Sequence, residues 1–131
     1  MDVRIPADEN FDFYACRKLY KKYQKAVGDD VSFNQIIKNT CFYSFYDNKN
    51  LVGCIYVFEK NKKIFINGFA KRGFHNFNIK AVKKIFDWFK SDIYAFSINK
   101  PARYLLLRCG FSKITDNLFV YYNNGESRKG N

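Results

Sequence analysis

Residues 41–69 read CFYSFYDNKNLVGCIYVFEKNKKIFINGF. Aromatic and β-branched side chains fill this run, and polar turn formers break it in only two places. Such a stretch is suited to strands that bury one face. The spacing predicts three strands, Cys41–Tyr46, Leu51–Glu59 and Lys63–Phe69, with hairpin turns at Asp47–Asn50 and Lys60–Lys62. Connections this short join antiparallel neighbours, so the segment reads as a half-buried antiparallel meander.

The flanks add helices. DVRIP is a short strand that ends near Pro6. In ENFDFYACRKLYKKYQKAV, Cys16, Leu19, Tyr20, Tyr23 and Val27 recur at helical spacing, with Arg17, Lys18, Lys21, Lys22 and Lys25 opposite. GDDVS is a turn, and VSFNQIIKN is a second, short helix that Ser32 can cap. Beyond the meander lies a polar loop. Ala81, Val82, Ile85, Phe86 and Phe89 then mark one face of a long helix, and Lys80, Lys83, Lys84, Asp87 and Lys90 the other. Ile93–Ile98 is a buried strand, Lys100–Arg108 a short helix and Leu118–Tyr122 a last strand. The order β α α β β β α β α β contains no repeat and no linker. Residues 1–123 are therefore expected to form a single domain, and 124–131 a polar mobile tail.

Composition narrows the function. At 131 residues and 47% hydrophobic, the chain can bury a core and does not read as disordered. It has no apolar run long enough to span a bilayer and no signal-peptide pattern, which argues against a membrane or secreted protein. Cys16, Cys41, Cys54 and Cys109 are widely spaced, form no CxxC pair and have only His75 for company, so no metal site is expected. Each lies in an apolar pattern, as buried reduced thiols of a cytoplasmic protein do. The net charge of +11 points to an anionic partner: nucleic acid, a phosphorylated cofactor or an acidic protein surface. Scattered lysines on solvated helix faces account for the same number.

The segment NKPARYLLLRCGF, residues 99–111, carries the strongest local pattern. Asn99 can cap the helix, and Pro101 is tolerated in its first turn. Ala102, Leu105, Leu106 and Cys109 share one face. Gly110 stands where a left-handed residue ends a helix, and Phe111 returns to the core. Together with the element order, this segment resembles the Gcn5-related N-acetyltransferase (GNAT) superfamily, whose members commonly read N-x-x-A-x-x-L-Y-x-x-x-G-F here. Asn99, Ala102, Leu105, Gly110 and Phe111 match. LVGCIYVF is similar to the family's third strand, and FINGFAKRG to its fourth and the exit into the cofactor loop.

The resemblance implies an α+β fold with a central, mostly antiparallel twisted sheet of six to seven strands flanked by about four helices. It also implies a cytoplasmic enzyme that moves an acetyl group from acetyl-CoA to the primary amine of an unknown acceptor. The pantetheine arm would lie against the backbone near Phe69, Ala70 and Lys71. The pyrophosphate would lie at Arg72, Gly73, Asn76, Phe77 and Asn78, with Asn99 at the head of the following helix.

The chain departs from the family in three places. The loop pattern Q/R-x-x-G-x-G/A aligns with GFHNFN, so Asn76 and Asn78 stand at the glycine positions. The tyrosine that protonates the departing thiolate is replaced by Leu106, and Tyr104 lies on another side of the helix. The fourth strand carries no acidic base: Asn67 cannot serve, and Glu59 ends the previous strand. Two other readings stand beside this one. One is a non-catalytic GNAT-fold structural or interaction protein, phage-encoded and associated with the host cytoplasm or virion. The other is RNA engagement, which rests on charge and surface aromatics without any RNA-binding motif.

Overall fold

The computed structural model describes residues 2–27, 30–97 and 100–123. In chain order they form β1 (Asp2–Arg4), α1 (Phe13–Val27), α2 (Phe33–Asn39), β2 (Cys41–Asp47), β3 (Asn50–Lys60), β4 (Lys63–Ala70), α3 (His75–Phe86), β5 (Ile93–Phe96), α4 (Lys100–Arg108), β6 (Ser112–Lys113) and β7 (Leu118–Tyr121). The strands make one seven-stranded sheet in the order β1-β2-β3-β4-β5-β7-β6. Every neighbouring pair is antiparallel except β4 and β5, which run parallel. The fold is α+β, with four helices on a mostly antiparallel sheet, as expected.

Local chemistry accounts for the element ends. Asp12 Oδ1 accepts the Ala15 N–H at 3.0 Å at the head of α1. Ser32 and Gln35 form a capping box on α2: the Ser32 hydroxyl accepts the Gln35 N–H and the Gln35 side chain accepts the Ser32 N–H. The two hairpins turn through residues of positive φ, Asn48 (57°), Asn61 (54°) and Lys62 (64°). Gly110, at φ 99°, follows α4 in the left-handed region that glycine enters without steric penalty.

The sheet separates two cores. Tyr20 of α1, Phe33 and Ile36 of α2, and Phe42, Tyr56 and Phe69 of the meander pack on one face. Ile79 and Ile85 of α3, Ile55 and Ile66 of the meander, Ile93 and Phe111 pack on the other, with Leu105 and Leu106 of α4 against them. A bulge between β2 and β3 keeps this alternation consistent. Phe45 faces Gly53 and Tyr46 faces Leu51, so Val52 is the extra residue.

The chain differs from the sequence-based expectations in four respects. β6 is a two-residue strand, too short for any periodic signal. α3 begins at His75, so HNFN is the first turn of the helix and not a polar loop. It also ends at Phe86, short of Phe89. Trp88 and Phe89 make tight amide bonds to Ile85 and Phe86, and the distant Asn123 side chain donates to the Phe86 carbonyl at 2.8 Å. Finally, Cys41 is exposed on β2, whereas Cys16, Cys54 and Cys109 are buried as expected. Position 98, expected to end a strand, and the tail 124–131 lie outside the described residues. Among the described residues, no helix is long and apolar enough to cross a membrane.

Candidate functional site

The site arises where the sheet comes apart. β4 pairs with β3 along all eight of its residues. Its other edge meets β5 only at Ile64↔Ile93 and Phe65↔Tyr94. Beyond Phe65 the two parallel strands diverge, and a cavity of about 310 Å³ opens between them. Its walls come from both faces of the sheet. Val82 of α3 and Leu105 and Leu106 of α4 line one side, and Tyr23 of α1 lines the other. Asn67 lies between Phe65 and Phe69 on β4, so alternation turns it toward the α1 face.

An unpaired strand edge presents backbone polar groups. The Lys71 amide donates to the Val52 carbonyl at 2.9 Å, on the β3 side. Amides and carbonyls of alternate residues point to opposite edges of an antiparallel ladder, so Ala70 and Gly68 direct theirs across the gap. The Asn67 side-chain oxygen accepts the Gly68 N–H at 2.8 Å, so that amide is already engaged.

The residues expected at the site fall in three groups. Ala70, Lys71 and Arg72 line the cavity, the last two exposed at its rim. Gly73 turns the chain at φ 90° beside them. Phe69 lines the cavity too, but its ring is buried toward α1, 5.5 Å from Tyr20. Asn78 is buried in the wall. Its Nδ2 donates to the Phe74 carbonyl at 2.8 Å, and its side-chain oxygen sits against Gly53, where an added Cβ would lie only 2.5 Å away. The side chains of Asn76 and Phe77, and the whole of Asn99, lie outside the described residues.

α3 is therefore aimed differently from a side-chain cradle. Its N-cap is Phe74, which makes no side-chain capping bond. The first backbone N–H groups of an α-helix have no intrahelical partners, and they carry partial positive charge. The first turn, His75–Phe77, thus presents amide donors one short turn after Lys71 and Arg72. The Asn78 amide is already bonded to Phe74 at 2.9 Å, so it belongs to the helix ladder.

Leu106 is half-buried in the cavity wall, and Tyr104 on the same helix is 64% exposed and turned away. Glu59 is exposed at the far end of β3. Burial pushes the Cys109 thiol up to about 11, with Lys83 and Arg108 pulling the other way, so it is protonated at neutral pH and inert as a nucleophile. Tyr23 was hidden in the sequence because its spacing matches the buried face of α1. In the structure it is only half-buried, and it brings a phenol to the cavity from the side opposite Leu106. Phe96 and Ser97, at the end of β5, also line the cavity, and neither carries a motif.

No protein-family sequence profile and no curated protein sequence matches the chain. Solved structures do. The chain superposes on an N-acetyltransferase from Staphylococcus aureus Mu50 with a TM-score of 0.69 at 14% identity, over 93% of this chain and 98% of that one. It superposes on a ribosomal-protein-S5-alanine acetyltransferase from Vibrio fischeri with a TM-score of 0.67 at 12% identity, over 94% and 93%. An acetyltransferase from Bacillus subtilis, solved in complex with CoA, matches with a TM-score of 0.55 at 17% identity, over 84% and 75%. The fold is the GNAT fold that the sequence resembles.

Proposed function

We propose that the chain is an acetyl-CoA-dependent N-acetyltransferase acting on a primary amine. The observation that carries this reading is the divergence of β4 and β5 after two paired residues, which opens a cavity through the sheet. The apolar walls and the free β4 edge suit a pantetheine arm, a chain of methylenes interrupted by amides. Lys71, Arg72 and the uncapped first turn of α3 suit a pyrophosphate. Asn78 packs inward, against Gly53 and the Phe74 carbonyl, so its side chain does not block that turn.

Bound there, acetyl-CoA supplies an acyl group activated as a thioester. Residues of this chain hold and orient it. The backbone edge at Ala70 fixes the arm, while Val82, Leu105 and Leu106 exclude water from it. Positioning alone is a large part of such a transfer. The acceptor nitrogen must be uncharged to attack and loses one proton as the amide forms, and the departing thiolate gains one. The Tyr23 hydroxyl is the group we place to supply the thiolate's proton and, as the phenolate, to take back the one the nitrogen releases, since Leu106 has none to give.

Calorimetric titration of acetyl-CoA into the protein tests the reading. Micromolar binding is expected, with a stabilisation of about 2.7 kcal/mol at a hundredfold ligand excess over Kd. No heat and no thermal shift at millimolar ligand overturns it.

A further inference from the structure

The α1 face of the sheet carries a row of aromatic rings that runs from strand to strand. Phe42 on β2 stacks on Tyr56 of β3 at 6.3 Å and 13°. Tyr56 stacks on Phe58 at 6.3 Å and 27°, and Phe58 on Phe65 of β4 at 5.9 Å and 15°. Phe65 stacks on Phe96 of β5 at 5.5 Å and 9°. The row begins in the core, where Phe42 is 2% exposed, and ends at Phe96, 58% exposed. Phe42 and Tyr56 pack in the core with residues of α1 and α2, and Phe58 is half-buried against it. Phe96 therefore shows solvent the free side of a ring whose other side already stacks on Phe65.

An exposed phenylalanine alone needs no explanation. Phe96 is also one of the residues that line the cavity, across the gap from Asn67, so the row of rings ends at a residue of the cavity wall. The charge around the cavity narrows the occupant further. Its charged lining residues are Lys71 and Arg72, and no carboxylate is among the described lining residues. A third cation, the Lys63 ammonium, lies 5.0 Å over the Tyr94 ring beside the row. A polyamine, whose several ammonium groups call for several carboxylate partners, finds none among the described lining residues.

We propose that the acceptor is a small aromatic amine, a primary amine one short link from a planar ring, and that this ring stacks on the open side of Phe96. The proposal rests on the acetyl-transfer reading for its chemistry. Stacking supplies recognition that the missing carboxylates do not, and it leaves the amine at the cavity, where the acyl group would be held.

Two probes isolate the aromatic contribution: 2-phenylethylamine and 2-cyclohexylethylamine, which carry the same amine on a flat and a saturated ring. Acetylation is followed by CoA release, and binding to the protein alone by saturation-transfer NMR. The phenyl compound is expected to have about fivefold higher kcat/KM, since an aromatic pair is worth about 2- to 12-fold beyond area burial. Phe96→Ala should bring the ratio to about one, and Phe96→Tyr should retain it. Equal turnover of both probes, or a preference that survives Phe96→Ala, overturns the proposal while acetyl transfer stands. Phe96-dependent NMR binding of the phenyl compound without CoA release or acetyl-CoA binding overturns the acetyl-transfer reading and leaves the aromatic site. Neither turnover nor binding overturns the aromatic site.

Discussion

Gly53 is where the cavity can be perturbed from outside its chemistry. An added Cβ would lie 2.5 Å from the Asn78 side-chain oxygen, 3.4 Å from its Cγ and 3.3 Å from the Ala70 Cβ. The carboxamide cannot simply swing into solvent, because Asn78 is 7% exposed and its Nδ2 is bonded to the Phe74 carbonyl at 2.8 Å. Gly53→Ala must therefore push Asn78 aside, and with it the first turn of α3. Overpacking of this kind costs about 1–3 kcal/mol, and the displaced side-chain hydrogen bond adds about 1 kcal/mol. The Phe74 carbonyl keeps its bond from the Asn78 amide, which holds the total near the lower end. We expect a loss of about 2 kcal/mol, read as a lower urea midpoint at unchanged slope. Asn78→Ala alone trades one hydrogen bond for better helix propensity and should cost about 1 kcal/mol or less. The double variant should recover most of the Gly53→Ala loss, a coupling of about 1–2 kcal/mol. If the two losses instead add, the Gly53–Asn78 contact does not hold α3 in place, and the reasoning about the open first turn fails with it.

Three further outcomes are expected. Replacing both Lys71 and Arg72 with alanine should weaken acetyl-CoA binding about tenfold at low salt and flatten its salt dependence, since both are exposed charges subject to screening; calorimetry at two ionic strengths reads both effects. Tyr23→Phe should lower kcat about a hundredfold while leaving acetyl-CoA affinity unchanged, and an unchanged kcat removes the phenol from the reaction. Stability should fall in alkali, because burial raises the Cys109 thiol from 9.0 to about 11 and the Tyr46 phenol from 10.0 to about 12. Each group holds its proton more tightly folded than unfolded, so the contribution is complete below the unfolded values and is lost as pH rises through the folded ones. Urea midpoints followed from pH 9.0 to about 12 should decline, and Cys109→Ala should flatten the first part of that decline.

Most of the frame was legible because it is written in periodicity. The meander from Cys41 to Phe69, the apolar stripe of α1, the Ser32 cap and the Gly110 stop all appear in the structure where residue spacing puts them. The two ends of α3 were misplaced for different reasons. Polar HNFN reads as a loop, yet the backbone there is helical, with no side-chain cap to mark its start. Phe89 continues the helical stripe, but contacts from Asn123, 34 residues away, end α3 first. Long-range hydrogen bonds of this sort leave no trace in a local pattern.

The candidate site was suggested only by resemblance, and that follows from how it is built. A gap between two strands is a failure of pairing: nothing in KIFINGF or IYAF announces that β4 and β5 part after Phe65 and Tyr94. The donors proposed for it are backbone groups, which every residue carries, so no residue type at Ala70 betrays them. A motif search asks for glycines that let phosphate approach and finds Asn76 and Asn78 instead. At Asn78 the side chain turns inward against Gly53 of β3, which has no side chain of its own to meet it. The missing glycine space lies beneath the helix, 25 residues earlier in the chain, which is why variation at Gly53 and Asn78 has to be considered as one event.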